Sequence, residues 1–533
     1  MLDIKLIQKN EMMCEESVLA TISGWFGRRH EMIYSQFWRF KLLPDEPKFH
    51  GVIGGRIHLD FGDMYQLLAQ YHGVQCKSHR FFRTGKILDI ARQQLKAGFP
   101  VVALFNDSLI PMIPPEEKAG FFPLIIVGLD DECRDARRQD VQCFEIHTLK
   151  KVIRIPAADF LKGYSQCTTY SLNRPAKEQI DWRDVISRNT GYLLENNAFD
   201  SLRTLAELIR TLDYQVERND EKDVVKLPLT QRMKDIYRSR YLFSYTLDYL
   251  IQEHQAAALE EYPEYFRSLS GRWVSAWGLL TMAFRQRELN LPRNFPGQMD
   301  KLSKKILTLA NMEEDLCHAL QQTLKGQPAR LKLFMPRASM QIRTREIQEY
   351  VYLDIEKQLN NQGFSTRIEP DPSADLTGSR QFFLTAGLPS NDLWVVEGMK
   401  FRFLPPAEDR NDNISCLGQT IFVPKDHYAA LMLLGCAEWG NKSELLEISY
   451  EDGQTISLPL EFSDWIFKIP AFDEVVAWEG RCAEKTPTGV AEIPWFRGHL
   501  FAKMLPLDQN LGLERIILPD CGNIHLFAIT LGK

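Results

Sequence analysis

The sequence predicts an α+β chain with helices and a mainly antiparallel sheet over residues 1–175, a helical region over 176–365 and an all-β sandwich or jelly roll over 366–533. Three observations carry this reading. Helical and strand signals alternate up to about residue 175, and apolar residues then recur at three- and four-residue steps from about 182 to 362. After about 370, short runs of β-branched and aromatic residues follow one another at fairly even spacing. A length of 533 residues allows about three to five compact units, and no internal repeat divides it.

In the first region, Glu15 to Phe26 reads as a short helix rich in Val18, Leu19, Ile22 and Trp25. Asp63 is placed to cap a second helix through Tyr71, and a third, Lys86 to Gly98, is ended by its glycine. The runs at 100–105, 123–129, 141–147 and 151–155 are β-rich and broken by turn-formers or charged loops. In the middle, Leu302, Ile306, Leu309, Leu316, Leu320 and Leu324 draw one apolar stripe that must pack on other helices. Similar patterns run over 197–213, 231–258 and 344–361. Toward the end, Glu451-Asp452-Gly453 reads as a hairpin turn between two strands.

Composition excludes several classes. With 44% hydrophobic and 25% charged residues the chain is neither disordered nor low-complexity, and a net charge of −6 argues against nucleic acid as the main partner. The N-terminus carries acids and Gln where a signal peptide's apolar core would lie, and the most apolar run, 121–129, is far short of a membrane span. Ten cysteines without a Cys-x-x-Cys pair fit a reduced cytoplasmic compartment better than a disulfide framework or a zinc knuckle. Neither a metal nor another cofactor is expected.

One constellation carries chemistry. Gln8 is followed six residues later by Cys14, at the start of the first helix. A cysteine there feels the positive end of the helix dipole, which favours thiolate, although Glu15 and Glu16 oppose it. The Gln8 amide and the Cys14 backbone N–H could together form an oxyanion hole for acyl transfer or hydrolysis. A buried, inert cysteine is the structural alternative.

Gln8 to Trp25, the stretch 101–132 with Asp107, Ser108 and Pro111, and the helical stretch 197–212 together resemble the family built on the N-terminal domain of butirosin biosynthesis protein H. That domain is similar to bacteriocin-processing cysteine peptidases of papain-like fold. The resemblance covers about 170 residues and implies a papain-like domain and a cysteine-dependent acyltransferase. Such an enzyme moves an acyl or peptidyl group from a phosphopantetheine thioester on a carrier protein to an amine in specialised-metabolite assembly, of nonribosomal-peptide or aminoglycoside type. The family's catalytic histidine falls at Phe122 here. If Gly128 pairs with Val141 in an antiparallel hairpin, His147 stands opposite Phe122 and can replace the missing base; the plainer reading of His147 is a surface residue at a strand end before Lys150 and Lys151. His147 also falls where the family tends to carry its orienting acid. The expected site is therefore Cys14, Gln8 and His147, with Asp107 and Phe122 as substrate contacts, although Asp107 also reads as a turn-former or as a group that orients the base. The alternative function is a catalytically degenerate accessory protein that docks onto a synthetase or carrier domain.

Other residues have plainer readings. The segment 50–58, HGVIGGRIH, lacks a phosphate-binding context and reads as a loop over the site. His72 and His79 read as surface positions. Trp439, Trp465, Trp478 and Trp495 read as sandwich core before they read as an aromatic binding platform.

Overall fold

The computed structural model describes all residues except 81–85, 111, 114–119, 131–139, 147–148, 174–178, 292–293, 328–346, 367–372, 405, 408–409, 487–488 and the Trp495 side chain. The chain divides into two compact units. The first comprises Met1–Arg39, Leu59–Tyr192 and Arg238–Phe266, and the second comprises Phe40–His58, Leu193–Tyr237 and Arg267–Lys533. This differs from the expected consecutive blocks 1–175, 176–365 and 366–533. The helical stretch is divided between the two, with Leu193–Tyr237 and the residues from Arg267 on in the second unit and Arg238–Phe266 in the first.

The helices in chain order are α1 (Cys14–Trp25), α2 (Ile53–Arg56), α3 (Met64–His72), α4 (Lys86–Lys96), α5 (Ala157–Gly163) and α6 (Trp182–Glu195). After them come α7 (Ala198–Arg210), α8 (Tyr214–Arg218), α9 (Pro228–His254), α10 (Tyr262–Glu288) and α11 (Phe295–Leu324). Strands β1 (Val74–His79), β2 (Val101–Asn106), β3 (Phe121–Leu129), β4 (Asp140–Glu145), β5 (Lys151–Pro156) and β6 (Tyr164–Leu172) form the sheet of the first unit. Its order is β1-β6-β2-β3-β4-β5 and every pair is antiparallel.

Local chemistry explains the helix ends. The Asp63 carboxylate accepts the N–H groups of Tyr65 (2.9 Å) and Gln66 (3.2 Å), starting α3 as expected, and Gly73 ends it at φ +74°. Gly98, at φ +80°, follows α4 in the same way. One face of the sheet packs Phe105, Phe122, Leu124, Ile126, Val141 and Cys143 against Ile87 and Ala91 of α4 and Phe160 of α5. On β3, Ile125 and Val127 alternate to the opposite face and are also fully buried. His72 is not on the surface: it is 4% exposed, and its Nε2 accepts the Met32 N–H at 3.2 Å.

The second unit contains a β-sandwich. Its strands are β7 (Tyr350–Tyr352), β8 (Phe364–Ser365), β9 (Gln381–Leu384), β10 (Leu393–Val396), β11 (Met399–Arg402), β12 (Ile414–Leu417) and β13 (Thr420–His427). The remainder are β14 (Ala430–Ala437), β15 (Lys442–Tyr450), β16 (Thr455–Phe462), β17 (Val475–Thr486), β18 (Gly489–Pro506), β19 (Gly512–Ile517) and β20 (Asp520–Gly532). An eight-stranded sheet, β8-β9-β17-β18-β14-β20-β12 with β7 also on β20, accompanies a four-stranded sheet, β13-β19-β15-β16. Trp465 and Trp478 lie in the common core against Phe383, as the core reading expects. Trp439 is half-buried, and the Trp495 side chain lies outside the described residues. The Glu451–Gly453 turn joins β15 to β16, with Gly453 at φ +84°. The sandwich begins earlier than 366, because Tyr350–Tyr352 pairs with β20 where a helix over 344–361 was expected.

Among the described residues, no helix is long and apolar enough to cross a membrane.

Candidate functional site

Cys14 is the first residue of α1, within the first unit. The helix starts there because Glu16, at its third position, reaches back to accept the Met13 N–H, so the carboxylate substitutes for a polar N-cap side chain. The Arg238 guanidinium of α9 fixes that carboxylate, with Nη2 at 3.1 Å from both Glu16 oxygens. It also donates to the Glu11 carbonyl, from Nε at 3.0 Å and from Nη2 at 2.9 Å. Glu11 takes a left-handed backbone at φ +64°, which a non-glycine residue adopts only when its surroundings hold it. Arg238 thus grips both ends of the turn that delivers Cys14. Upstream, Ile7 N–H donates to Thr21 Oγ1 (2.9 Å), and Lys9 pairs with Glu31 (3.3 Å), which anchors the neighbours of the exposed Gln8.

The Cys14 sulfur is half-buried. Burial raises its thiol pKa, the Glu145 and Glu16 charges raise it further, and its own backbone amide opposes them. Glu145, at the end of β4, is fully buried and accepts the Leu149 N–H. Glu15 is engaged elsewhere, as acceptor from Tyr65 Oη at 2.9 Å.

The β3–β4 hairpin follows the expected register in part. Leu124 pairs with Glu145, Ile125 with Phe144 and Ile126 with Cys143, as expected. A bulge then intervenes, so Gly128 pairs with Gln142 and Val141 with Leu129, not Gly128 with Val141. His147 lies outside the described residues, which end at Ile146 on that side.

The two expected substrate contacts serve the chain itself. Asp107 is 2% exposed, and its two carboxylate oxygens each accept the Gly120 N–H at 3.0 Å, closing the loop after β2. Phe122 is 5% exposed, opposite Phe105 in the sheet and inside the α4–α5 core. The segment 50–58 belongs to the second unit and contains the short helix α2 (Ile53–Arg56). Arg238 and Glu145 escaped notice in the sequence because both act from more than 100 residues away. The capping role of Glu16 had no sequence signal either, because Met13 stands where a capping box carries Ser or Thr.

If Glu145 holds the thiol up, Glu145→Gln will lower the Cys14 pKa and raise its alkylation rate by iodoacetamide at pH 8 by about three- to tenfold. An unchanged rate, read by peptide mass spectrometry against Cys76 as internal reference, would show that burial alone sets the thiol.

Residues 349–533 match the family of the AziU2-like beta-sandwich domain. That span takes in β7 to β20, so the match and the strand pairing place the start of the sandwich at the same point. No curated protein matches the chain.

Proposed function

We propose that the chain is a cytoplasmic, cysteine-dependent acyltransferase that moves an acyl or peptidyl group from a carrier-protein thioester to an amine in specialised-metabolite assembly. The observation that carries it is a half-buried thiol at the first position of a twelve-residue helix, on a turn gripped by a buried arginine. The resemblance of the first 170 residues to the butirosin-type, papain-like family supports the same reading.

In this mechanism the Cys14 sulfur attacks the thioester carbonyl, and the backbone N–H of Cys14 with the Gln8 amide receives the oxyanion. Collapse expels the phosphopantetheine sulfur, which takes the proton released from Cys14 by way of His147. The amine then attacks the acyl-Cys14 thioester and loses a proton, forming the amide and restoring the thiol. A thiol held above its ordinary range leaves little thiolate at neutral pH, so transfer should quicken about tenfold per unit from pH 7 to 9.

A second reading, a degenerate docking protein, is favoured by the two carboxylates acting on Cys14 and by Phe122 in place of the family's histidine. Intact-mass measurement after incubation with acyl-carrier thioesters separates the two. The enzyme reading expects an acyl adduct that Cys14→Ala abolishes. No adduct at any pH up to 9 would leave the docking reading.

A further inference from the structure

Two cysteines of the sandwich face each other across a strand pair. In the register of β12 with β20, Ser415 stands opposite His525, the register shifts, and Cys416 then stands directly opposite Cys521. Directly opposed residues of an antiparallel pair point to one face with Cα atoms about 4.5–5.5 Å apart, inside the span a disulfide bridges. Both side chains belong to the same core cluster, and both are free thiols. The backbone around them is pinned: Ser415 Oγ donates to the Gly522 carbonyl (2.8 Å), and Ser415 N–H donates to Asn360 Oδ1 (2.7 Å). The Asn360 side-chain amide donates to the Ser415 carbonyl at 3.0 Å.

The two thiols are not equivalent. Cys416 is fully buried and Cys521 is 6% exposed, so a small oxidant meets Cys521 first. Burial and the Glu444 charge push the Cys521 thiol up to about 11, and the Lys305 and Lys442 ammonium groups oppose them only in part. Burial first, and then the charges of Cys521 and Glu444, push the Cys416 thiol well above its ordinary range, with no cation among the described residues to oppose them.

We propose that Cys416 and Cys521 form a reversible redox pair, with Cys521 as the residue a peroxide attacks and Cys416 as the resolving thiol. The Cys521 sulfur attacks one peroxide oxygen and the O–O bond breaks. The departing hydroxide leaves as water with the thiol proton, and Cys521 becomes a sulfenic acid. Cys416 then attacks that sulfur, the S–O bond breaks, and a second water carries away the hydroxyl and the Cys416 proton. Two thiols and one hydrogen peroxide thus give one disulfide and two waters. The bond ties edge strand β12 to β20 and closes a loop of about 100 residues, which restricts the unfolded chain. This pair is independent of Cys14 and of the proposed transferase reading.

The test uses the full chain, treated with stoichiometric hydrogen peroxide, alkylated with N-ethylmaleimide under denaturing conditions and digested without reductant. The expected product is a linked peptide pair containing Cys416 and Cys521, two hydrogens lighter than the separate peptides and split by dithiothreitol. Oxidation should raise the thermal midpoint by several degrees, reversibly. In Cys416→Ser, dimedone should trap Cys521 several-fold more than any other cysteine. Recovery of both residues fully alkylated while other cysteines oxidise, or linkage of either to a different cysteine, overturns the proposal. The wild-type linkage decides it even if the serine variant does not fold.

Discussion

Gly54→Ala should destabilise the second unit by about 3–5 kcal/mol, a large part of the roughly 5–15 kcal/mol that holds a domain folded. A Cβ at Gly54 would lie 2.1 Å from the Leu229 nitrogen and 2.3 Å from the Pro228 carbonyl carbon, so it meets main chain and no side chain can turn aside. The approach is close because one carboxylate draws three segments together. Glu217 of α8, 1% exposed, accepts Ile53 N–H at 2.7 Å and Leu229 N–H at 2.8 Å, with Gly54 N–H at 3.3 Å from Oε1 and 3.4 Å from Oε2. These are unpaired N–H groups at the starts of α2 and α9, which an acid satisfies both by hydrogen bonding and by helix dipole. Pushing α2 away from α9 breaks that bridge and leaves a buried carboxylate with fewer donors. Gly191→Ala supplies the opposite sign. Gly191 lies inside α6 with no atom within 4 Å of its added Cβ, so alanine should stabilise by about 1 kcal/mol through helix propensity. Chemical denaturation of the two variants should therefore bracket the wild type; equal stability for Gly54→Ala would mean that α9 yields at its first turn.

This glycine also shows why part of the molecule was legible and part was not. Residues 50–58 look like an unstructured glycine-rich loop in one dimension, because the feature that requires Gly54 is the start of a helix about 170 residues on. Elements defined by their own residues were read well. The Asp63 cap, the glycine after α4, the apolar stripe of α11 and the hairpin at Glu451–Gly453 all depend on contacts a few residues apart. Elements defined by their neighbours were missed. Strand β6, inside the first sheet between β1 and β2, reads YSQCTTYSL, with Tyr and Thr where an apolar run would have marked a buried strand. Helix α10 mixes Arg, Ser and Trp around its circumference, so no single stripe announces it. The same distinction applies at the candidate site. Cys14 at a helix start was legible from the sequence. Of its charged surroundings Glu16 was in view, whereas Glu145 of β4 and Arg238 of α9 are encoded nowhere near residue 14.

The two units should respond to acid in opposite directions. In the first, burial pushes His30 down to about 4 and His72 down to about 3, and each ring is neutral in the fold. For His72 the geometry demands it, since Nε2 accepts the Met32 N–H. Burial alone would raise Glu31, yet the His30 ring, the Arg29 guanidinium and backbone amides hold it at about 2. All three folded values lie below the unfolded ones, so the unfolded chain binds more protons. Stability from these groups is full above about pH 6.5 and is lost as pH falls, at roughly 3 kcal/mol per pH unit between about 6 and 4 for the two histidines together. In the second unit the carboxyls run the other way. Burial raises Glu217 to about 7 against its three amide donors and Asp412 to about 6 against those of Gly363 and Phe364, and it raises Glu438 well above the ordinary range. There the folded state keeps protons that the unfolded chain releases from about pH 4.5 upward, so stability falls as pH rises toward 7, and His525, pushed down to about 3, offsets one proton. Hydrogen exchange corrected for intrinsic rate should show peptides around 30–34 and 64–79 losing protection from pH 7.5 to pH 5, while those around 217–229 and 363–412 gain it. His72→Gln keeps an acceptor for Met32 and carries no titratable proton, so it should remove about half of the first unit's acid sensitivity. Parallel loss of protection in both units would mean that the buried carboxyls of the second unit are ionised in the fold, with their amide donors outweighing burial.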